Sequence, residues 1–216
     1  MKQGRILNSV IALLVVLFLV SCSDSDPKLM PLDHDAVILA FGDSLTFGSG
    51  ANPKTQSYPA VLQQLTKLDV INSGIPGEIS RDGLDRLPDV LEQVKPDLVI
   101  LCHGGNDLIR KLGTGQLKDN LEQMIALIQT SGAQVVLIGV PQLGLTLTVP
   151  DLYEELSETY NIPIELEILP ELESNPKVKS DHIHPNATGY KLFAQSINIL
   201  LQQSEAITIN NRTTQN

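Results

Sequence analysis

A parallel α/β fold is expected for this chain, on three observations. Short β-type apolar runs alternate with helical patterns from Ala36 to Gln203. Most of those runs are apolar throughout, as strands buried on both faces must be. The connections between them are short, and strand–helix alternation with short loops gives a parallel sheet covered on both sides.

Each element has its own signal. "AVILAF" (36–41) reads as the first strand, ending in glycine, and a helix is expected over Tyr58 to Leu68 before the second strand, "DVIN" (69–72). Leu84, Leu87, Leu91 and Val94 step by three and four residues and form a helix face. The third strand, "DLVILC" (97–102), is followed by a second such face, Leu117, Leu121, Met124, Ile125 and Ile128. "QVVLIGV" (134–140) is the fourth strand, and a helix follows at Leu152 to Thr159. In "IPIELEI" (162–168), Glu165 and Glu167 alternate with Ile164, Leu166 and Ile168, which predicts an edge strand with one wet face. A helix from Ala187 to Leu201 completes the domain, with no internal repeat and no second core.

The 216 residues, 42% of them hydrophobic, suit one domain with a full core plus appendages. The net charge of −10 and the absence of any Lys/Arg cluster exclude nucleic acid as a partner. Residues 1–21 read as an export signal: Lys2 and Arg5 precede the apolar run Val10 to Val20. That run rises only about 16 Å as a helix, half of a ~30 Å hydrocarbon core, so it does not span a membrane. It ends in "LVSC" (19–22), which resembles the lipobox of bacterial lipoproteins, whose cysteine is acylated. The resemblance implies a lipidated Cys22, a membrane as partner, and a bacterial envelope location facing the periplasm; an ordinary signal peptide with a chance cysteine is the alternative. With Cys22 acylated, Cys102 has no disulfide partner and reads as a buried, inert thiol. Residues 22–35 are expected to be a tether, 36–203 the folded domain and 204–216 a flexible tail.

In parallel sheets ligands bind beyond the carboxyl ends of the strands. The loops there are "GDSLTFG" (42–48), "SGIPGE" (73–78), "HGGND" (103–107) and, after the fifth strand and a further loop, "SDHIHPN" (180–186). A serine on the first turn can be a helix cap. It can also be a nucleophile, if a base takes its proton and a third group orients that base. Asp181 and His184, three residues apart, can meet within one turn. Glycine-turn N–H groups and an asparagine amide can hold an oxyanion.

These blocks resemble the SGNH, or GDSL, hydrolase superfamily. "GDSL" (42–45) matches the first block, "SGIPGEIS" (73–80) the second, "GGND" (104–107) the third, and Asp181, His184 and Pro185 the last. The resemblance implies a flavodoxin-like three-layer α/β/α sandwich with a five-stranded parallel sheet. It implies Ser44, His184 and Asp181 as catalytic triad, with Ser44, Gly77 and Asn106 as oxyanion hole; Gly74 is the alternative to Gly77. The spacing looks like the arylesterase, thioesterase and lysophospholipase branch. A serine esterase acting on small-molecule esters or lipids, without cofactor or metal and as a monomer, is therefore expected. Deacetylation of envelope sugars and a non-catalytic lipid- or protein-binding lipoprotein are the rivals. The GxSxG elbow of α/β-hydrolases is absent.

Other residues receive provisional tasks. Asp43 and Asp107 read as hydrogen-bonding supports for the turns, and His103 as packing beside the site. His182 and His184 have ligand-like spacing, but no third metal ligand clusters with them. Two apolar loops, "LIRKLGTG" (108–115) and "QLGLTLTV" (142–149), are candidate walls of an acyl groove through Leu108, Ile109 and Leu112 on one side and Leu143, Leu145 and Leu147 on the other. Arg110 and Lys111 would then face a charged leaving group. The alternative is that these leucines pack beneath the loops.

Overall fold

The computed structural model describes residues 26–142, 144 and 147–208. The export signal, Cys22, Leu143 and Leu145 lie outside the described residues. Five parallel strands, β1 (Val37–Gly42), β2 (Asp69–Gly74), β3 (Leu98–Cys102), β4 (Gln134–Ile138) and β5 (Ile164–Glu165), form one sheet in the order β2-β1-β3-β4-β5. β3 lies at the centre and every one of its residues is fully buried, which accounts for its unbroken apolar sequence.

The helices are α1 (Ser44–Phe47), α2 (Tyr58–Thr66), α3 (Ser80–Val94), α4 (Gly105–Arg110), α5 (Thr114–Thr130), α6 (Leu152–Tyr160), α7 (Ile168–Ser174) and α8 (Ala187–Gln203), with a 3-10 turn at Pro176–Val178. α2 packs with α8 on one face, where the Tyr58 and Phe193 rings lie 4.5 Å apart. α3, α5 and α6 pack together on the other. Their buried stripes, such as Leu117, Leu121, Met124, Ile125 and Ile128 on α5, are the three-and-four spacings visible in the sequence.

Strand order reverses at β1, which has β2 on one side and β3 on the other, so the crevice of the fold opens where β1 and β3 end. Gly42 and Cys102 are partners in register at that point. A Cβ on Gly42 would stand 2.0 Å from the Cys102 carbonyl oxygen, so only glycine lets the two strand ends close up.

The structure differs from expectation in three places. The fifth strand keeps its edge position but has two residues, not seven. Glu165 Oε1 accepts the N–H groups of Glu167 (2.9 Å) and Ile168 (3.0 Å), and the chain turns into α7, which buries Ile168, Leu169 and Leu172. The segment expected as a loop at 108–115 is mostly helical, reduced to the link between α4 and α5. The expected tether is docked over residues 28–33. Met30 exchanges two hydrogen bonds with the Gln134 side chain at the start of β4. The N–H groups of Leu29 and Leu32 donate to Ser204 and Ala206, each at 2.8 Å, while Leu29 and Leu32 pack on the core. The first residues of the expected tail are thereby held too, and Ala206 is fully buried.

Candidate active site

Asp43, the last residue before α1, is its N-cap: Oδ1 accepts the Leu45 N–H at 3.0 Å. Ser44 is therefore not the cap, and its hydroxyl is left for other work. His184 Nε2 lies 3.0 Å from Ser44 Oγ. On the far side of the ring, His184 Nδ1 lies 2.8 Å from Asp181 Oδ2. Both imidazole nitrogens are thus engaged in hydrogen bonds; among the described residues no three His, Cys, Asp or Glu side chains group as a metal site.

The loop carrying His184 is tied at several points. Asp181 Oδ1 accepts the N–H groups of Ile183 (2.7 Å) and His184 (2.8 Å). Burial raises the Asp181 carboxyl, but these donors and the imidazole outweigh it and bring it down to about 2, so it is an anion at neutral pH. Asn186 caps α8, accepting from Thr188 and Gly189, while its own amide donates to the carbonyls of Lys177 and Lys179. Lys179 pairs with Glu173 of α7 and donates to the His182 carbonyl at 2.7 Å, fastening the loop to the pocket wall.

Asn106, at the start of α4, donates through Nδ2 to the Glu78 carbonyl (2.9 Å) and to Asp43 Oδ2 (3.2 Å). Asp43 is almost fully buried, and burial pushes its carboxyl up. Asp107 accepts the Ser80 N–H (2.8 Å) and hydroxyl (2.6 Å), holding α4 against the start of α3. Both aspartates are turn supports, as the sequence suggested.

A cavity of about 230 Å³ opens over these groups, lined by Ser44, Gly77, Asn106 and His184 and walled by Ile109, Val140, Pro141, Leu169 and Ile183. Gly77 is in the lining, whereas Gly74 belongs to β2 and packs against Phe47. Serine hydroxyl, imidazole and carboxylate in a line, beside an amide donor and an apolar cavity, can perform acyl transfer.

A model described as the GDSL-like lipase/acylhydrolase family matches residues 40–192. The chain belongs to that family. An arylesterase of Vibrio mimicus is 32% identical over 171 residues, 74% of this chain and 85% of that protein. Thioesterase 1/protease 1/lysophospholipase L1 of Escherichia coli K12 is 29% identical over 168 residues, 73% of this chain and 79% of that protein. The psychrotrophic esterase EstA from Pseudoalteromonas sp., in a crystal structure inhibited by monoethylphosphonate, has the same fold, with a TM-score of 0.71 at 22% identity over 78% of this chain and 98% of that one.

In this GDSL-type esterase the acyl-groove residues proposed from sequence divide. Ile109 lines the cavity. Leu108 does not: α4 turns it inward, and it is buried in the core. Leu112 is exposed and Leu147 lies outside this cavity. Leu143 and Leu145 fall outside the described residues. Arg110 donates to the Gly77 carbonyl at 2.8 Å and so braces a loop. Val140, Pro141, Leu169 and Ile183 escaped sequence reasoning, because nothing local distinguishes them from core residues.

Proposed function

We propose that this GDSL esterase cleaves carboxylic esters of short to medium acyl chains through an acyl-enzyme on Ser44. The observation that carries the proposal is the Asp181–His184–Ser44 line, with bonds of 2.8 and 3.0 Å, at the floor of an apolar cavity. Ser44 Oγ attacks the ester carbonyl while His184 Nε2 takes its proton, and Asp181 holds the resulting imidazolium. The N–H groups of Ser44 and Gly77 and the Asn106 amide receive the oxyanion. The longer bond of Asn106, to Asp43, yields a hydrogen to it. Collapse breaks the ester C–O bond and His184 protonates the departing alcohol. A water, deprotonated by His184, then attacks the Ser44 ester, releasing the acid and restoring the serine.

At about 230 Å³ the cavity is smaller than the ~300 Å³ lower end of drug-sized sites, which suits one modest acyl group. Labelling with a fluorophosphonate, followed by peptide mapping, tests the nucleophile: Ser44 should carry the label and Ser44→Ala should abolish it without unfolding. Label on another serine would overturn the assignment. Across acyl esters kcat/KM should rise from acetyl to butyryl or hexanoyl; a maximum at acetyl would favour sugar deacetylation instead.

We further propose that Cys22 carries a lipid anchor in the cell envelope. Residues 28–33 dock at the end of the sheet where the strands begin, opposite the cavity. An anchor at that end points the cavity away from its own membrane and favours substrates arriving from the aqueous side. Cys22→Ala should lose fatty-acid labelling; undiminished labelling would remove the anchor.

A further inference from the structure

We infer that Glu78, gripped by Arg86 and His103, is a positioning residue that sets the register of the oxyanion hole; the inference rests on the reaction proposed above. The three donors of that hole sit on three different strand ends. Ser44 follows β1, Gly77 lies after β2 and Asn106 follows β3. Single bonds tie them in pairs, Asn106 to Asp43 at 3.2 Å and Arg110 of α4 to the Gly77 carbonyl at 2.8 Å.

The Glu78 side chain joins all three. Arg86 Nε donates to Glu78 Oε1 at 2.7 Å and Arg86 Nη2 to Oε2 at 2.8 Å, a two-pronged grip. The same guanidinium donates to the Ser73 carbonyl and hydroxyl at the end of β2, each at 2.8 Å, and to the Gly42 carbonyl at the end of β1, at 3.3 Å. It lies 3.9 Å from the centre of the Phe41 ring, which prevents it from swinging aside. His103, fully buried at the end of β3, accepts the Gly104 N–H on Nδ1. Its proton is thereby placed on Nε2, which donates to Glu78 Oε2 at 3.1 Å. The main chain of Glu78 completes the circuit, since its carbonyl accepts the Asn106 amide.

Stability alone does not account for this cluster. Burial raises the Glu78 carboxyl, and the bonds from His103 and Arg86 more than reverse that, so the group is a buried anion. Exchanging a buried ion pair for apolar side chains is commonly neutral or stabilising. The helix also concedes a position to it: a Cβ on Gly83 in α3 would meet His103 Nε2 at 2.4 Å, so a glycine, poor in helix interiors, is required there. Geometry among the three strand ends is what the arrangement supplies.

A double-mutant cycle separates positioning from support. Misplacing a catalytic group by about 1 Å costs on the order of 10²-fold in rate. Glu78→Gln, which faces Arg86 with an amide, should therefore lower kcat about 10- to 100-fold with KM changed less than about threefold. In an Asn106→Ala background the same substitution should cost at least about threefold less than in the wild type, because one of the donors it positions is gone and only the Ser44 and Gly77 N–H groups are left to misplace. Arg86→Lys keeps the charge, loses the two-pronged grip, and decides by the same comparison where Glu78→Gln does not fold. Equal losses in both backgrounds would overturn the inference. Should Asn106→Ala itself leave kcat unchanged, the oxyanion-hole reading beneath it fails instead.

Discussion

Replacing Asp181 by asparagine should disable the enzyme by forcing His184 into the wrong tautomer. Asp181 Oδ1 accepts two backbone N–H groups, at 2.7 and 2.8 Å, and only an oxygen can stay there. An asparagine must keep its carbonyl on those donors and turn its NH2 toward His184 Nδ1. Facing a donor, Nδ1 becomes an acceptor and the ring proton moves to Nε2, which lies 3.0 Å from Ser44 Oγ. An imidazole protonated there cannot take the serine proton. In a buried triad this substitution costs about 10⁴ in kcat. Here the Asp181 side chain is 53% exposed, so solvent screens part of the effect and about 10³ is expected, near 4 kcal/mol of barrier. The assay is kcat at saturating p-nitrophenyl butyrate from pH 5 to 9, and raising the pH should not restore the rate. A variant within tenfold of wild type would refute the tautomer argument.

Asn106→Ala should lower kcat by about 10²–10³, with KM little changed, because its amide matters most once charge develops on the oxyanion; steady-state kinetics on one ester settles it. Ile109→Ala should cost hexanoyl esters roughly fivefold in kcat/KM, since a half-exposed wall recovers only part of its burial energy, and leave acetyl esters unaffected. Acid should weaken the fold through Asp181, whose carboxyl is lowered in the folded state. Its contribution is complete above the unfolded value near 4 and disappears as pH falls through about 2. The urea midpoint of the wild type should exceed that of Asp181→Asn at pH 6, and the gap should close between pH 4 and 2.

The fold was legible wherever burial wrote itself into period. β1, β3 and β4 are apolar runs because both faces of the sheet are covered there, while the edge strand β2 is mostly exposed and polar. α3 and α5 show their buried stripes at three and four residues. The reading failed where two periods coincide. In "IPIELEI" the alternation of Ile164, Leu166 and Ile168 suggests a strand, but Ile168, Leu169 and Leu172 also make a helical stripe, and the Glu165 side chain settles the matter by capping the turn. The docked strap at 28–33 was invisible for a different reason: its bonds to Gln134, Ser204 and Ala206 join residues a hundred or more apart in the chain.

The site divides along the same line. Ser44, Asn106, Asp181 and His184 could be named because their chemistry requires particular residue types within short blocks, and short blocks survive in sequence. Glu78, Arg86 and His103 could not, because each is ordinary in its own surroundings: an acid after a turn, a base on a helix, a histidine beside a strand. Their meaning arises only when α3 lies across the ends of β1, β2 and β3 and a single carboxylate comes within reach of both Arg86 and His103. A serine, an imidazole and an amide can be supplied by motifs, but the distances among their loops depend on packing between segments far apart in the chain. Residues that set those distances must therefore be sought where strand ends converge, and here they converge on Glu78.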